Sequence, residues 1–195
     1  AHIPFVRNHD ASFCQNYGGE YTVDVHRIFT DFDADPENEE SYDFRMTDKY
    51  LKDIELCGAK CFYRLGSRIE HEIKKVGTVP PKDFKKWAVI CEHIIRHYNE
   101  GWANGFHMNI EYWEIWNEPD TRNADGSNPC WQGTDEEFIH LFTTTLNHLK
   151  LCFPKLKIGG PAFCGPNCSP YSRTLYKLLF DEMKKQKLPL DFFSF

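Results

Sequence analysis

Glu111-Tyr112-Trp113-Glu114-Ile115-Trp116-Asn117-Glu118-Pro119-Asp120 opens with the aromatic and β-branched residues of a strand buried on both faces. It then breaks into Asn-Glu-Pro-Asp, where proline cannot continue a ladder. A carboxylate therefore falls where a buried strand ends. In an α/β barrel that end is the face on which the loops converge, so Glu118 is the first candidate for chemistry. Neighbouring aromatics would desolvate it and keep it protonated, as a general acid requires. Asn117 cannot titrate, but its amide can donate to and accept from a hydroxyl at once. The same four residues are also common in plain turns.

Upstream, Ile3 to Asn8 reads as a short strand ending at His9-Asp10. An irregular stretch to about Ser41 comes next, and its interleaved Phe13, Tyr17, Tyr21, Ile28, Phe29 and Phe32 argue for a packed loop. The acidic run from Asp31 to Glu40 reads as solvated surface. A helix from Phe44 carries Thr47, Tyr50, Leu51, Ile54 and Cys57 at three- and four-residue spacing, with Gly58 as its stop. Lys60 to Leu65 is a strand. Near Pro81 begins the clearest helical period, Phe84, Trp87, Ala88, Cys91, Ile94, Ile95 and Tyr98 on one face. Beyond the central strand, Thr134 and Glu137 have capping-box spacing and open a helix that runs to Pro154. Leu156 to Gly160 is a strand, Ser169-Pro170 suits the start of another helix, and Leu190 to Phe195 is the last strand.

Strands thus alternate with amphipathic helices without hairpin signals, which calls for parallel strands joined by right-handed crossovers. A barrel and a doubly wound open sheet both satisfy this pattern. No Gly-x-Gly-x-x-Gly comes after a strand, so a dinucleotide-binding open sheet loses its main support. Five units are too few for an eight-stranded barrel of about 250 residues.

Because side chains alternate along a strand, Glu114, Trp116 and Glu118 should share the barrel-facing side. Glu114 would then be an interior charge needing partners, and Arg7 and Arg64 are the available cations. His9 and Asp10 end their strand as Asn117 and Glu118 end theirs, so all four should reach one rim.

The chain has 195 residues, 41% of them hydrophobic, enough to bury a core, and no segment is long and apolar enough to span a membrane. A formal charge of −6 offers no basic stripe for a nucleic acid. Aromatics suit both sugar stacking and an ordinary core. The eight cysteines read mainly as buried free thiols, with Cys57 and Cys91 on helix stripes and Cys61 opening a strand; such thiols favour a reducing, cytoplasmic setting. Neither Cys57/Cys61 nor Cys164/Cys168 has a mate at zinc-finger spacing, and His9-Asp10 lacks further ligands. Asn167-Cys168-Ser169 matches a glycosylation acceptor, relevant only to a secreted protein. Both ends read as cut, so a signal peptide would lie upstream.

Four stretches lie in order across most of the chain: Val79-Pro80-Pro81-Lys82-Asp83-Phe84-Lys85-Lys86-Trp87, Trp113-Glu114-Ile115-Trp116-Asn117-Glu118-Pro119, Lys157-Ile158-Gly159-Gly160-Pro161-Ala162 and Leu190-Asp191-Phe192-Phe193-Ser194. With these the sequence resembles glycoside hydrolase family 39, the family of β-xylosidases and α-L-iduronidases. That family falls within the clan A retaining glycosidases, whose fourth strand ends in Asn-Glu with the Glu as acid/base. The resemblance implies an α/β fold, a partial (β/α)8 TIM barrel in which residues 1–195 hold roughly strands two to six of eight. That would make one incomplete catalytic domain lacking the first strand and the last two βα units.

The resemblance further implies that Glu118 is the acid/base, that Asn117 binds the sugar's 2-hydroxyl, and that His9, with Asp10 beside it, contacts the sugar. Trp131, in Cys130-Trp131-Gln132-Gly133, matches a family Trp-x-Gly, as a stacking platform or as a packed loop anchor. Retention needs two carboxylates roughly 5 to 5.5 Å apart. The family's nucleophile ends the seventh strand, a position that neither Glu70 nor Asp10 occupies, so the isolated segment should be inactive. The implied function is β-xylosidase-like cleavage of a terminal sugar from a β-linked saccharide, with a glycoside or oligosaccharide as partner and no metal or organic cofactor. A clan A β-glucosidase or endo-glycanase, or a sugar-binding barrel without a nucleophile, are the alternatives.

Overall fold

The structure, a computed structural model, describes residues 3–9, 22–71, 73–165 and 170–195. Asp10, the aromatic residues Phe13, Tyr17 and Tyr21, and the Asn167-Cys168-Ser169 acceptor lie outside these residues.

Five strands form one sheet: β1 (Phe5–Arg7), β2 (Lys60–Leu65), β3 (Tyr112–Ile115), β4 (Lys157–Gly160) and β5 (Phe192–Phe193). Every neighbouring pair is parallel, and the spatial order is the chain order. That order separates the two architectures left open by the pattern. A doubly wound sheet reverses direction at a switch point, whereas successive right-handed crossovers that never reverse put every helix on one face. The chain is therefore part of an α/β barrel, with a concave inner face and helices outside.

The helices are α1 (Val25–Ile28), α2 (Arg45–Leu56), α3 (Phe84–Asn99), α4 (Asp135–Cys152) and α5 (Pro170–Gln186). α3 begins three residues later than the Pro80-Pro81 signal implies, because Asp83 caps it, its carboxylate accepting the N–H groups of Lys85 and Lys86. Both halves of the Thr134/Glu137 capping box form at the start of α4. α2 stops before Gly58, which takes the left-handed φ of 76° that only glycine adopts freely. Cys57, expected on the buried stripe, is exposed. It lies past the last helical residue, and with Leu56 it has left the contact surface that Thr47, Leu51 and Ile54 bury.

The outer side of the sheet is the core. Tyr63, Leu65, Trp113, Ile115 and Ile158 pack there against Ile94, Tyr98, Leu141 and Phe142, all buried. The inner side carries an aromatic layer, Phe5, Phe62, Tyr112 and Phe192, with ring centroids 5.2–5.9 Å apart. Arg7, Arg64 and Glu114 lie on the same side, nearer the carboxyl ends of the strands. The acidic run is solvated as expected. Its Asp31, Asp35 and Asn38 cap their own turns, and Lys82 pairs with Asp33 on the surface. Ile28 and Phe29 are buried, as a packed loop requires. No helix among the described residues is long and apolar enough to cross a membrane.

Candidate active site

β3 ends as a strand at Ile115, three residues earlier than its composition suggests, and the chain then enters a turn of unusual backbone. Trp116 has a φ of 75° and Glu118 a φ of 47°, a region that costs a bulky L-residue of order 1–3 kcal/mol. Three contacts across neighbouring strands hold the turn. Trp116 N–H donates to the Leu65 carbonyl at 2.6 Å and Glu118 N–H to the Ala162 carbonyl at 3.0 Å. At Gly66, an added Cβ would stand 2.9 Å from the Trp116 Cα, so the chain needs glycine there to let the turn approach.

The inverted φ at Trp116 corrects the simple alternation of the strand. Trp116 does not share the inner side with Glu114 and Glu118. Its indole turns outward, donates to the Cys130 carbonyl at 2.9 Å, and packs between Trp87 and Trp131. The second inversion, at Glu118, allows adjacent Asn117 and Glu118 to border one cavity instead of pointing apart. Trp113 and Trp116 therefore do not cover the Glu118 carboxyl as expected. Glu118 is half-buried.

That cavity, of about 520 Å³, opens at the carboxyl ends of the strands and is lined by Arg7, Glu114, Asn117, Glu118, Ala162 and Ser194 among others. Arg7 organises its floor. Its Nε donates to Oε2 of Glu114 at 2.6 Å, and its Nη2 donates to Oδ1 of Asn117 at 2.8 Å. Glu114 is 1% exposed, so this pairing is what keeps its charge tolerable. Burial pulls the Arg7 guanidinium below its ordinary value, with Arg64 adding to the effect and Glu114 opposing it.

Arg64, expected to share Glu114, instead donates to Asp24 at 2.6 Å, both side chains fully buried. Asp24 also accepts the Arg68 N–H at 3.1 Å, tying the residues before α1 to those after β2. The sequence carried no signal for this partner, because Asp24 sits in a segment without periodicity.

Around Glu118 the loops are stitched together. Thr121 Oγ1 donates to Glu118 Oε2 at 3.3 Å and lies 2.8 Å from Cys164 Sγ. Asp120 Oδ1 accepts the Cys164 N–H at 3.0 Å, and Ser194 Oγ accepts the Ala162 N–H at 2.9 Å. The Cys130 thiol beside them is pushed up to about 12 by burial, which makes it a poor nucleophile. Glu70 is not a second carboxylate of this cavity. It is buried in its own loop, where the N–H groups of Val76, Gly77 and Thr78 and the Thr78 hydroxyl all donate to it.

Residues 9–195 match the sequence profile of Glycosyl hydrolases family 39. The chain belongs to that family. Among its relatives, the "Beta-xylosidase" of Geobacillus stearothermophilus is 31% identical over 94 residues, which cover 47% of this chain and 17% of the relative. Among solved structures, a glucosidase from Croceicoccus marinus superposes with a TM-score of 0.77 at 27% identity, covering 98% of this chain and 37% of that one. A monomeric beta-xylosidase from Caulobacter crescentus CB15 has a TM-score of 0.58 at 21% identity, with 78% and 30% covered; at that identity the likeness concerns the fold. The chain thus spans well under half the length of each of these relatives.

For this family 39 chain, the residues singled out in the sequence fare differently. Asn117 and Glu118 line one cavity. His9 comes after β1 at the same edge of the sheet and is half-buried, but it is not among the residues lining that cavity. Asp10 lies outside the described residues. Trp131 is 2% exposed, donates to the Thr134 carbonyl at 2.8 Å, and stands edge-on to Trp116 and Phe138. Of its two readings, the packed anchor is the one observed. A ring enclosed on these sides has no face left for a sugar.

Proposed function

We propose that this family 39 chain carries the proton-transferring half of a retaining glycosidase, β-xylosidase-like, acting on O-glycosidic bonds of β-linked saccharides. Glu118 protonates the departing oxygen and later takes a proton from the attacking water. Asn117 gives a hydrogen bond to the sugar's 2-hydroxyl, a contact that strengthens as the oxocarbenium-like transition state forms. His9, and Asp10 with it, hold further hydroxyls from the rim. The chain acts as one incomplete domain, strands two to six of the barrel, and the nucleophile comes from a strand not among these five. By itself it should not turn over.

The observation supporting this most directly is the bond from Arg7 to Asn117. It fixes the amide plane through Oδ1, and leaves Nδ2 as a buried donor that no described residue satisfies. The amide is thereby oriented beside Glu118 at the cavity they both line.

The test uses the full-length protein, aryl β-xylosides of graded leaving-group ability, and Glu118→Gln. For poor leaving groups kcat/KM should fall roughly 10²–10⁴-fold, and for activated ones far less. Equal rates with poor leaving groups would remove Glu118 from the mechanism. A β-glucosidase is the second reading, favoured by the likeness to a glucosidase over 98% of this chain. It predicts a higher kcat/KM for the aryl β-glucoside than for the aryl β-xyloside.

A further inference from the structure

Helices α3 and α4 pack side by side outside the sheet, and they carry a group that the Asn117–Glu118 cavity does not use. Glu92 on α3 and His148 and Cys152 on α4 each present one ligand atom, all three within 4.8 Å of one another and all half-buried. His148 and Cys152 are four residues apart and so share a helix face. Their Nε2 and Sγ are 3.8 Å apart, and Nε2 is 2.6 Å from Oε2 of Glu92. The other Glu92 oxygen, Oε1, is taken by Arg96 Nε at 2.8 Å. One oxygen is thus anchored on its own helix while the other faces α4.

An ion pair between Glu92 and His148 needs no thiol. What Cys152 adds is a soft donor, and it is the last residue of α4, where the unpaired carbonyls of a helix end favour a cation. Imidazole, thiolate and carboxylate together are the donors of zinc and its borderline-soft relatives, which bind them at about 2.0–2.3 Å. Ligands around one such tetrahedral ion stand roughly 3.2–3.8 Å apart, so the Sγ–Nε2 spacing already fits and Glu92 Oε2 has to retreat from its 2.6 Å by about 0.7 Å. The charges also close. A divalent ion is balanced by the Glu92 carboxylate and the Cys152 thiolate, while Arg96 is balanced by Glu100, which it meets at 2.5 Å.

We propose that Glu92, His148 and Cys152 form a binding site for a divalent, thiophilic cation of the zinc type, clasping α3 to α4, with water in the fourth position. Binding breaks the Glu92–His148 hydrogen bond and frees Nε2 of its proton, which goes to solvent from an imidazolium or to Nδ1 in a neutral ring; the Cys152 S–H bond is replaced by an S–metal bond and the thiol proton goes to solvent. Nothing is oxidised. The site stands apart from the sugar-cleaving reading and does not depend on it.

Co²⁺ titrated into the full-length protein is the probe, because a thiolate-to-cobalt charge-transfer band reports sulfur ligation. One equivalent should bind with that band, and Zn²⁺ should displace it and raise the Tm. Cys152→Ser should abolish the band and His148→Gln should weaken binding at least tenfold, whereas Cys57→Ser, at an exposed thiol, should leave both unchanged. If Cys152→Ser does not fold by circular dichroism, His148→Gln decides alone. A band that survives Cys152→Ser, binding unaffected by His148→Gln, or no saturable one-to-one binding would overturn the proposal.

Discussion

Nη2 of Arg7 donates to Oδ1 of Asn117 across 2.8 Å, joining the end of β1 to the turn after β3 over the intervening β2. The same guanidinium neutralises Glu114. One side chain therefore both keeps a carboxylate inside the barrel and sets the direction of the amide at the candidate site.

Replacing it should separate these roles. Arg7→Ala leaves Glu114 unpaired at 1% exposure and, with the arginine itself partly solvated, should cost roughly 2–3 kcal/mol in urea unfolding. In Arg7→Ala/Glu114→Gln much of that loss should return, since the buried charge is gone, while kcat/KM stays low because Asn117 has lost its anchor. A double variant as unstable as the single one would show that Glu114 is not what Arg7 stabilises.

The Asp24–Arg64 pair is buried completely on both sides. Removing one partner of such a pair costs about 3–5 kcal/mol because a charge is left without compensation. Asp24→Asn should therefore lower the Tm more than any substitution in the exposed Asp43–Arg45 pair, where solvent screens the interaction. Equal melting temperatures for Asp24→Asn and Asp43→Asn would refute the ranking.

Glu70 predicts a pH dependence. Burial by itself would raise its pKa, but the Thr78 hydroxyl and the N–H groups of Gly77, Thr78 and Val76 outweigh it, and the carboxyl lies below its ordinary 4.5. For a depressed acid the stabilisation is present above the unfolded value and disappears as pH falls through the folded one. The protection factors of the Val76, Gly77 and Thr78 amides, taken relative to the intrinsic exchange rate at each pH, should thus fall only when the pH drops below about 4.5. In Glu70→Gln they should be low already at neutral pH; high protection there would mean that the loop is held by something else.

Trp131 offers a direct comparison of anchor against platform. As a buried ring on Trp116 and Phe138, it should tolerate phenylalanine at a cost of about 1–2 kcal/mol and alanine at about 3–5 kcal/mol. KM for a glycoside should be the same for Trp131→Phe as for the parent. A several-fold rise in KM without loss of stability would restore the stacking role.

How far the sequence could be read depended on the range of the interaction. Lys60 to Leu65 matched its strand to the residue, and Thr134 with Glu137 matched its cap, because pleat, periodicity and capping are settled within a few neighbours. Cys57 failed at a helix end, where a stripe continues in sequence after the helix has left the core. Trp116 failed because the sign of a single φ is not written in its own side chain.

The order of strands and helices, the parallel sheet that this order requires, the family, and the nomination of Asn117-Glu118 were all determined by the chain's own letters, since each rests on local pattern or on a motif. Only the tertiary structure decided that Arg64 belongs to Asp24, that Trp116 turns outward, and that Asn117 and Glu118 border one cavity. Those outcomes depend on residues far apart in sequence, on the absent Cβ of Gly66 and the carbonyls of Leu65 and Ala162. Local propensity does not encode which distant groups will meet.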